Sequence, residues 1–211
     1  FYRARGMTGT FYLPQNLEYL GTHAFLECGT GLTGDIVIPS NITIIPGAAF
    51  QGVGFANGTN LIMHDGITKI DDSAFATTRI KNSIEWPKNL MFIEKNAFWD
   101  CKFILNEFVF PEKLRKIANG SFFMNYIGGT LVIPDNFSSV GGVFASTAIQ
   151  ELITGDNLIQ IDKEAFNACS NLRRVTLGKN LDFIGERAFS GCSSLQTIIC
   201  FSDEPPVSSS N

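Results

Sequence analysis

The sequence predicts a solenoid: a right-handed coil of short parallel strands, mostly β by content, with 3₁₀ or irregular turns opposite the strands. The first observation behind this is a Phe preceded by a small residue, which recurs at Phe25, Phe50, Phe75, Phe98, Phe122, Phe144, Phe166 and Phe189. The intervals are 25, 25, 23, 24, 22, 22 and 23 residues, so the recurrence runs almost the full length of the chain. The second is a set of aliphatic residues at fixed offsets before that Phe. The third is a short alternating run, closed by Pro or Gly, upstream of each copy.

The alternating runs come first in each repeat. They read "GTFYLP", "GDIVIP", "NLIMHD", "NSIEWP", "NEFVFP", "GTLVIP", "QELITG" and "RRVTLG", with "QTIICF" closing the series. In a strand, alternate residues share a face, so Phe11/Leu13, Ile36/Ile38 and Leu131/Ile133 belong to one inward set. Pro14, Pro39, Pro87, Pro111 and Pro134 stand at the strand end, where a residue without an N–H stops the ladder. His64, Gly155 and Gly178 take that place in other repeats. Two aliphatics follow, eight and five residues before the Phe, as in Ile42 and Ile45 or Leu181 and Ile184. The sixth repeat is one residue shorter here, with Val140 four before Phe144. The remaining arc is too short for more than a 3₁₀ turn or a single helical turn. Cys stands three residues after the Phe at positions 28, 101, 169 and 192, and Val53, Thr78, Asn125 and Thr147 fill the other copies.

A single such repeat cannot bury its own apolar face, and stacking on a neighbour completes the core. Equivalent side chains then fall into columns. The Phe residues form an aromatic spine of offset-stacked rings, and the Cys column is buried and reduced.

The bulk numbers support a folded repeat array and exclude several functions. Of 211 residues, 45% are hydrophobic and 19 are Phe, which is ample for a core. A net charge of −4 lacks the basic footprint of a nucleic-acid binder. No run of about 18 apolar residues predicts a membrane span. The two His, His23 and His64, have no Cys or carboxylate neighbours at metal spacing, and no nucleophile-elbow, zinc-protease or phosphate-loop motif is present. The expectation is no enzyme, no cofactor and no metal.

"LTGDIVIPSNITIIPGAAF" and "LRRVTLGKNLDFIGERAFSGCSSL" resemble the BspA-like (Treponema pallidum type) leucine-rich repeat, whose phrase runs Leu-x-x-Ile-x-Ile-Pro through Ala-Phe-x-x-Cys-x-x-Leu. The resemblance implies a leucine-rich repeat solenoid of about eight repeats over residues 9–201. Residues 1–8 read as a partial preceding repeat and 202–211 as a tail. Members are mostly surface or secreted proteins of bacteria and some protists, several of them adhesive. The resemblance therefore implies a binding scaffold for a host extracellular or partner-cell protein, without nucleic acid. The alternative is an architectural or self-associating segment of a larger surface protein.

The repeated apolar phrase specifies architecture, so function is sought in what differs between copies. Between each inward strand pair one residue must point outward: Tyr12, Val37, Ile62, Glu85, Val109, Val132, Ile153 and Thr176, with Ile199 in the last strand. Six of the first eight are apolar or aromatic. Nine strands at the parallel spacing extend this stripe over about 38 Å. It is the candidate ligand-binding surface, and a candidate self-interface. The adjacent outward column, Thr10, Asp35, Asn60, Ser83, Glu107, Thr130, Glu151 and Arg174, reads as a solvated polar face. "QGVGFANGTN", which lengthens its repeat, reads as a surface turn, with a recognition loop as the alternative.

Overall fold

In the computed structural model, which describes residues 1–81, 84–102, 104–105 and 108–208, the chain coils through successive parallel turns. No α- or 3₁₀-helix is present among the described residues. Each turn has a front segment, a back segment and an arc that carries the Phe, and most of the segments pair as short strands. Front pairing joins Ile36–Val37 to Leu61–Ile62. Further along it joins Thr130–Ile133, Glu151–Thr154, Arg174–Leu177 and Thr197–Cys200. A bridge links Phe108 to Leu131. The front is therefore a set of ladder segments among the described residues, not the single nine-strand ribbon expected. Phe11–Leu13 and Ile84–Trp86 lie outside any strand, although Phe11 and Ile84 are buried as the alternation requires.

The back ladder has two four-strand segments. Ile44–Ile45, Lys69–Ile70, Phe92–Ile93 and Lys116–Ile117 form one. Ser139–Val140, Gln160–Ile161, Phe183–Ile184 and Val207–Ser208 form the other. The break between them falls at the sixth repeat, the one that is a residue short. With Val140 four positions before its Phe instead of five, the back strand and the arc cannot both keep register with the fifth turn. The arc keeps it at the spine, where Phe122 N bonds Val143 O (3.2 Å), with Gly120 N slipped by one residue to Gly142 O, and the strand does not.

The arc differs from the helical turn expected. Its residues two before and two after the Phe sit at positive φ, except Gly142 before Phe144: His23 (59°) and Glu27 (50°) around Phe25, Ser73 (57°) and Thr77 (58°) around Phe75, Glu164 (58°) and Ala168 (58°) around Phe166. Alternating right- and left-handed residues aim every second N–H along the solenoid axis, where a helix would aim all of them at its own carbonyls. Those N–H groups bond the next turn. The Phe N–H donates to the carbonyl of the small residue one turn on: Phe25 to Ala49 (2.8 Å), Phe75 to Ala97 (2.9 Å), Phe166 to Ala188 (2.9 Å). A left-handed L-residue costs roughly 1–2 kcal/mol, which the ladder offsets by pairing otherwise buried backbone groups.

The rings stack as the recurrence predicts. Successive centroids from Phe25 to Phe189 are 5.3–6.2 Å apart and planes differ by at most 14°. Separation beyond the parallel strand spacing of about 4.8 Å means the rings are offset. Phe1 adds a ninth ring, 5.4 Å from Phe25.

The column three residues after the Phe has a polar logic that composition alone hides. Cys101 Sγ donates to Phe75 O (2.9 Å), Asn125 Nδ2 to Phe98 O (2.7 Å), Cys169 Sγ to Phe144 O (3.2 Å) and Cys192 Sγ to Phe166 O (3.3 Å). Thr78 Oγ1 donates to Phe50 O and Cys28 Sγ to Phe1 O. Cys, Thr and Asn interchange because each offers a compact donor to the carbonyl of the preceding spine residue. Thr147 turns instead to its own Phe144 O (2.7 Å), and Val53 has no donor to offer.

"QGVGFANGTN" is not the plain surface turn expected. Phe55 and Thr59 are buried, and Phe55 bridges Leu32. A Cβ at Gly54 would strike the backbone carbonyl of Gly29, so this insertion lies against the preceding turn and only a residue without a side chain fits there.

Phe98, fully buried between Phe75 (5.3 Å) and Phe122 (5.7 Å), tests the spine. Phe98→Ala is expected to cost about 3–5 kcal/mol in a denaturant titration; a loss under about 1 kcal/mol would show that the ring is not a core element. Thr78 tests the donor column, because its buried hydroxyl also accepts from Val53 N (3.1 Å). Thr78→Val should cost about 1–3 kcal/mol by stranding both backbone groups. Thr78→Cys should recover much of that loss, and equal destabilisation by the two would remove the donor explanation.

Candidate functional site: the outward face of the front ladder

The pleat that buries Ile36, Leu131, Leu152 and Val175 turns the residue after each toward solvent. Tyr12 is 77% exposed, Ile62 49%, Val109 66% and Val132 46%. Glu85 is exposed, while Val37, Ile153 and Thr176 are half-buried between their neighbours. Register makes Val37 and Ile62 partners, and places Val132, Ile153, Thr176 and Ile199 in one row. Tyr12, Glu85 and Val109 belong to the same face but lie outside the named strands. The structure thus assembles the C-terminal half of the stripe by backbone pairing and leaves the rest in shorter pieces.

The flanking polar column is bonded along the solenoid axis. Asn60 Nδ2 donates to Asp35 Oδ1 (2.8 Å) and Thr130 Oγ1 to Glu151 Oε2 (3.2 Å), while Arg174 lies 3.8 Å from Glu151. Ser83 and Glu107 of this column lie outside the described residues. These groups satisfy one another from turn to turn, as a solvated face does. Ion pairs on the other edges also link neighbouring turns, such as Lys179 with Asp156 (2.9 Å) and Lys88 with Asp65 (3.1 Å). The hydrogen bonds from those lysines hold both carboxyls below the usual carboxylate range. All are exposed, so each contributes little to stability.

The back face is less continuous. Its outward residues include exposed Tyr19 and Ile44, then Lys69, Lys116, Ser139 and Gln160 interrupt any apolar row.

A family model described as BspA type leucine rich repeat region matches residues 53–143 and 140–205, in six copies. Among solved structures, a leucine-rich repeat protein from Bacteroides ovatus ATCC 8483 is similar with a TM-score of 0.52 at 20% identity, over 95% of this chain and 62% of that one. A leucine rich cell surface protein from Faecalibacterium prausnitzii A2-165 aligns over 86% of this chain and 68% of that one, at 17% identity and a TM-score of 0.39. The Bacteroides protein shares the fold, and the chain spans 62% of its length. No curated protein matches the chain.

The chemically reactive side chains are used structurally. His64 Nε2 sits 3.1 Å from Pro39 O and 3.2 Å from Ile42 O, tying one strand end to the turn before it. Among the described residues no three His, Cys, Asp or Glu converge. Burial pushes the Cys101 and Cys169 thiols up. Cys192, half-buried beside Cys169, is pushed up to about 11 by burial and by that neighbour. Cys200 departs from the sequence reading: it pairs in register with inward Leu177, yet it is exposed because no described turn covers the last strand. Native-state thiol labelling near pH 8 should therefore modify Cys200 rapidly and spare Cys28, Cys101 and Cys169. Cys192 should react slowly and faster as the pH approaches 11. Rapid labelling of more than one thiol in the folded protein would show the column is open.

Proposed function

Since the chain belongs to the BspA-type leucine-rich repeat family, we propose that it is a non-catalytic protein-binding module, secreted or displayed at the cell surface, that adheres to a host or partner-cell protein through its front face. One observation carries this reading: large apolar side chains of the front face, Tyr12, Ile62, Val109 and Val132 among them, stand exposed, and the paired strands that carry Ile62 and Val132 have their inward face already filled. Burying them elsewhere in the fold is impossible, because alternation commits them to solvent. A rigid surface loses little conformational entropy on binding, and a solenoid offers such a surface over many turns. The name of the Faecalibacterium protein, which places it at the cell surface, agrees with a surface role.

Val37→Asp, Val109→Asp and Val132→Asp together put three charges on the face without touching the core. The triple variant should keep the wild-type melting temperature and lose at least about tenfold in affinity for a protein captured by the wild-type chain. Retained binding in a folded triple variant would move the contact surface elsewhere. Light scattering of the wild-type protein tests the self-association alternative: dimers that grow with concentration and vanish in the triple variant would make the face a self-interface.

A further inference from the structure

The back-ladder break opens a polar groove of about 460 Å³ between the fifth and sixth turns. Its origin is the missing residue of the sixth repeat. Elsewhere on this face the register gives two bonds per step, such as Asp71 N to Ile45 O (2.9 Å) and Arg115 N to Met91 O (2.9 Å). The corresponding bonds here would join Ser138 N to Arg115 O and Gly141 N to Ile117 O. Neither is made, and among the described residues these two N–H groups and two carbonyls have no partner. The core is also uncovered at this point. Ile117 is half-buried, whereas its column mates Ile45, Ile70, Ile93 and Ile161 are fully buried.

The groove's walls carry charge of one dominant sign. Lys95, Arg115 and Lys116 line it, against Asp162. Lys116 is engaged by Glu94 (2.8 Å), and Asp162 by Gln160, while Lys95 and Arg115 have no ion pair among the described residues. Ser138, Ser139 and Asn119 add polar groups, and Ile117, Ala118 and Phe137 add apolar surface.

A hydrogen bond joins the fifth and sixth turns on each side of the gap. Asn136 Nδ2 donates to Leu114 O on one side, and Gly120 N bonds Gly142 O (2.8 Å) on the other. An extended peptide needs an open edge with several successive backbone partners, and this gap supplies a single interrupted step. Its volume lies within the range of small-ligand pockets, about 300–1,000 Å³. That exceeds what a bare inorganic anion fills. The required ligand has an anionic group for Arg115 and Lys95, hydroxyls that both donate to free carbonyls and accept from free N–H groups, and an apolar C–H face for Ile117 and Phe137. We propose that the groove is a second binding site, separate from the front face, that takes an acidic sugar residue of the uronic acid class.

Trigalacturonate is a suitable probe, with maltotriose as the neutral control and hexaglutamate as the acidic peptide control. Calorimetry should show binding of trigalacturonate alone, and the Ser138 and Gly141 amide resonances should shift on its addition. Arg115→Ala with Lys95→Ala, both at exposed positions, should leave the melting temperature unchanged and weaken binding at least about tenfold. The Val37→Asp, Val109→Asp, Val132→Asp variant should bind trigalacturonate as the wild type does, so that failure of the front-face reading and failure of this one are distinguished. The proposal is overturned if trigalacturonate does not bind, if the two amides do not shift, if the double variant binds equally well, or if maltotriose or hexaglutamate binds as tightly.

Discussion

The structure depends on one constraint: each turn must present its spine Phe directly above the last, within about 6 Å, while its backbone bonds the next turn. The ring stack and the arc ladder meet this together. The Phe side chain fills the interior and its N–H holds the following turn, while at Phe50, Phe75, Phe98, Phe144 and Phe166 its carbonyl is taken by a donor three residues beyond the next Phe. A buried ring, a buried N–H and a buried carbonyl are in those turns all satisfied at one residue. Each parallel aromatic contact is worth about 0.5–1.5 kcal/mol beyond burial, and the interior of the array contains one per turn. The small residue before each Phe follows from the same constraint, since its carbonyl is the acceptor that the preceding Phe approaches.

That constraint also decides where the fold can vary. Insertions are accepted where they can lie against the preceding turn, as the segment around Phe55 does. A deletion cannot be absorbed in this way. When the sixth repeat loses a residue, the arc holds its register at the spine, from Phe122 N to Val143 O, Gly120 N slips by one residue to Gly142 O, and the back strand gives up its pairing. The unpaired backbone groups and the half-buried Ile117 are local consequences of a global rule. The two surfaces that remain for binding differ accordingly. The front face is made by regularity, because alternation places one side chain per turn outward. The groove is made by a lapse in regularity.

Chemistry at the buried cysteines is suppressed by the same packing. Cys101 and Cys169 serve as small donors inside a column, where burial raises their pKa and their S–H bonds a carbonyl. His64 cross-links backbone. The chain's chemical character lies on its surface, in shape, apolar exposure and charge.

The sequence by itself determined the coil, the columns and the inward or outward sense of each strand residue, because period and alternation are set by which side chains must avoid water. Phe98 and Val132 could be assigned to the inside and outside from spacing alone. The Cys/Thr/Asn interchange was visible in the sequence but had no meaning until Phe carbonyls appeared beside it. Only the tertiary structure decided the left-handed arc, since positive φ at residues such as Ala48 and Ala168 opposes their local preference and is stabilised by bonds to another turn. It alone decided the interruption of the front ladder, the buried place of Phe55 and the exposure of Cys200. It also decided the groove: the short count at Val140 was legible, but whether the arc or the strand would yield depends on pairing energies between turns, which no single repeat contains.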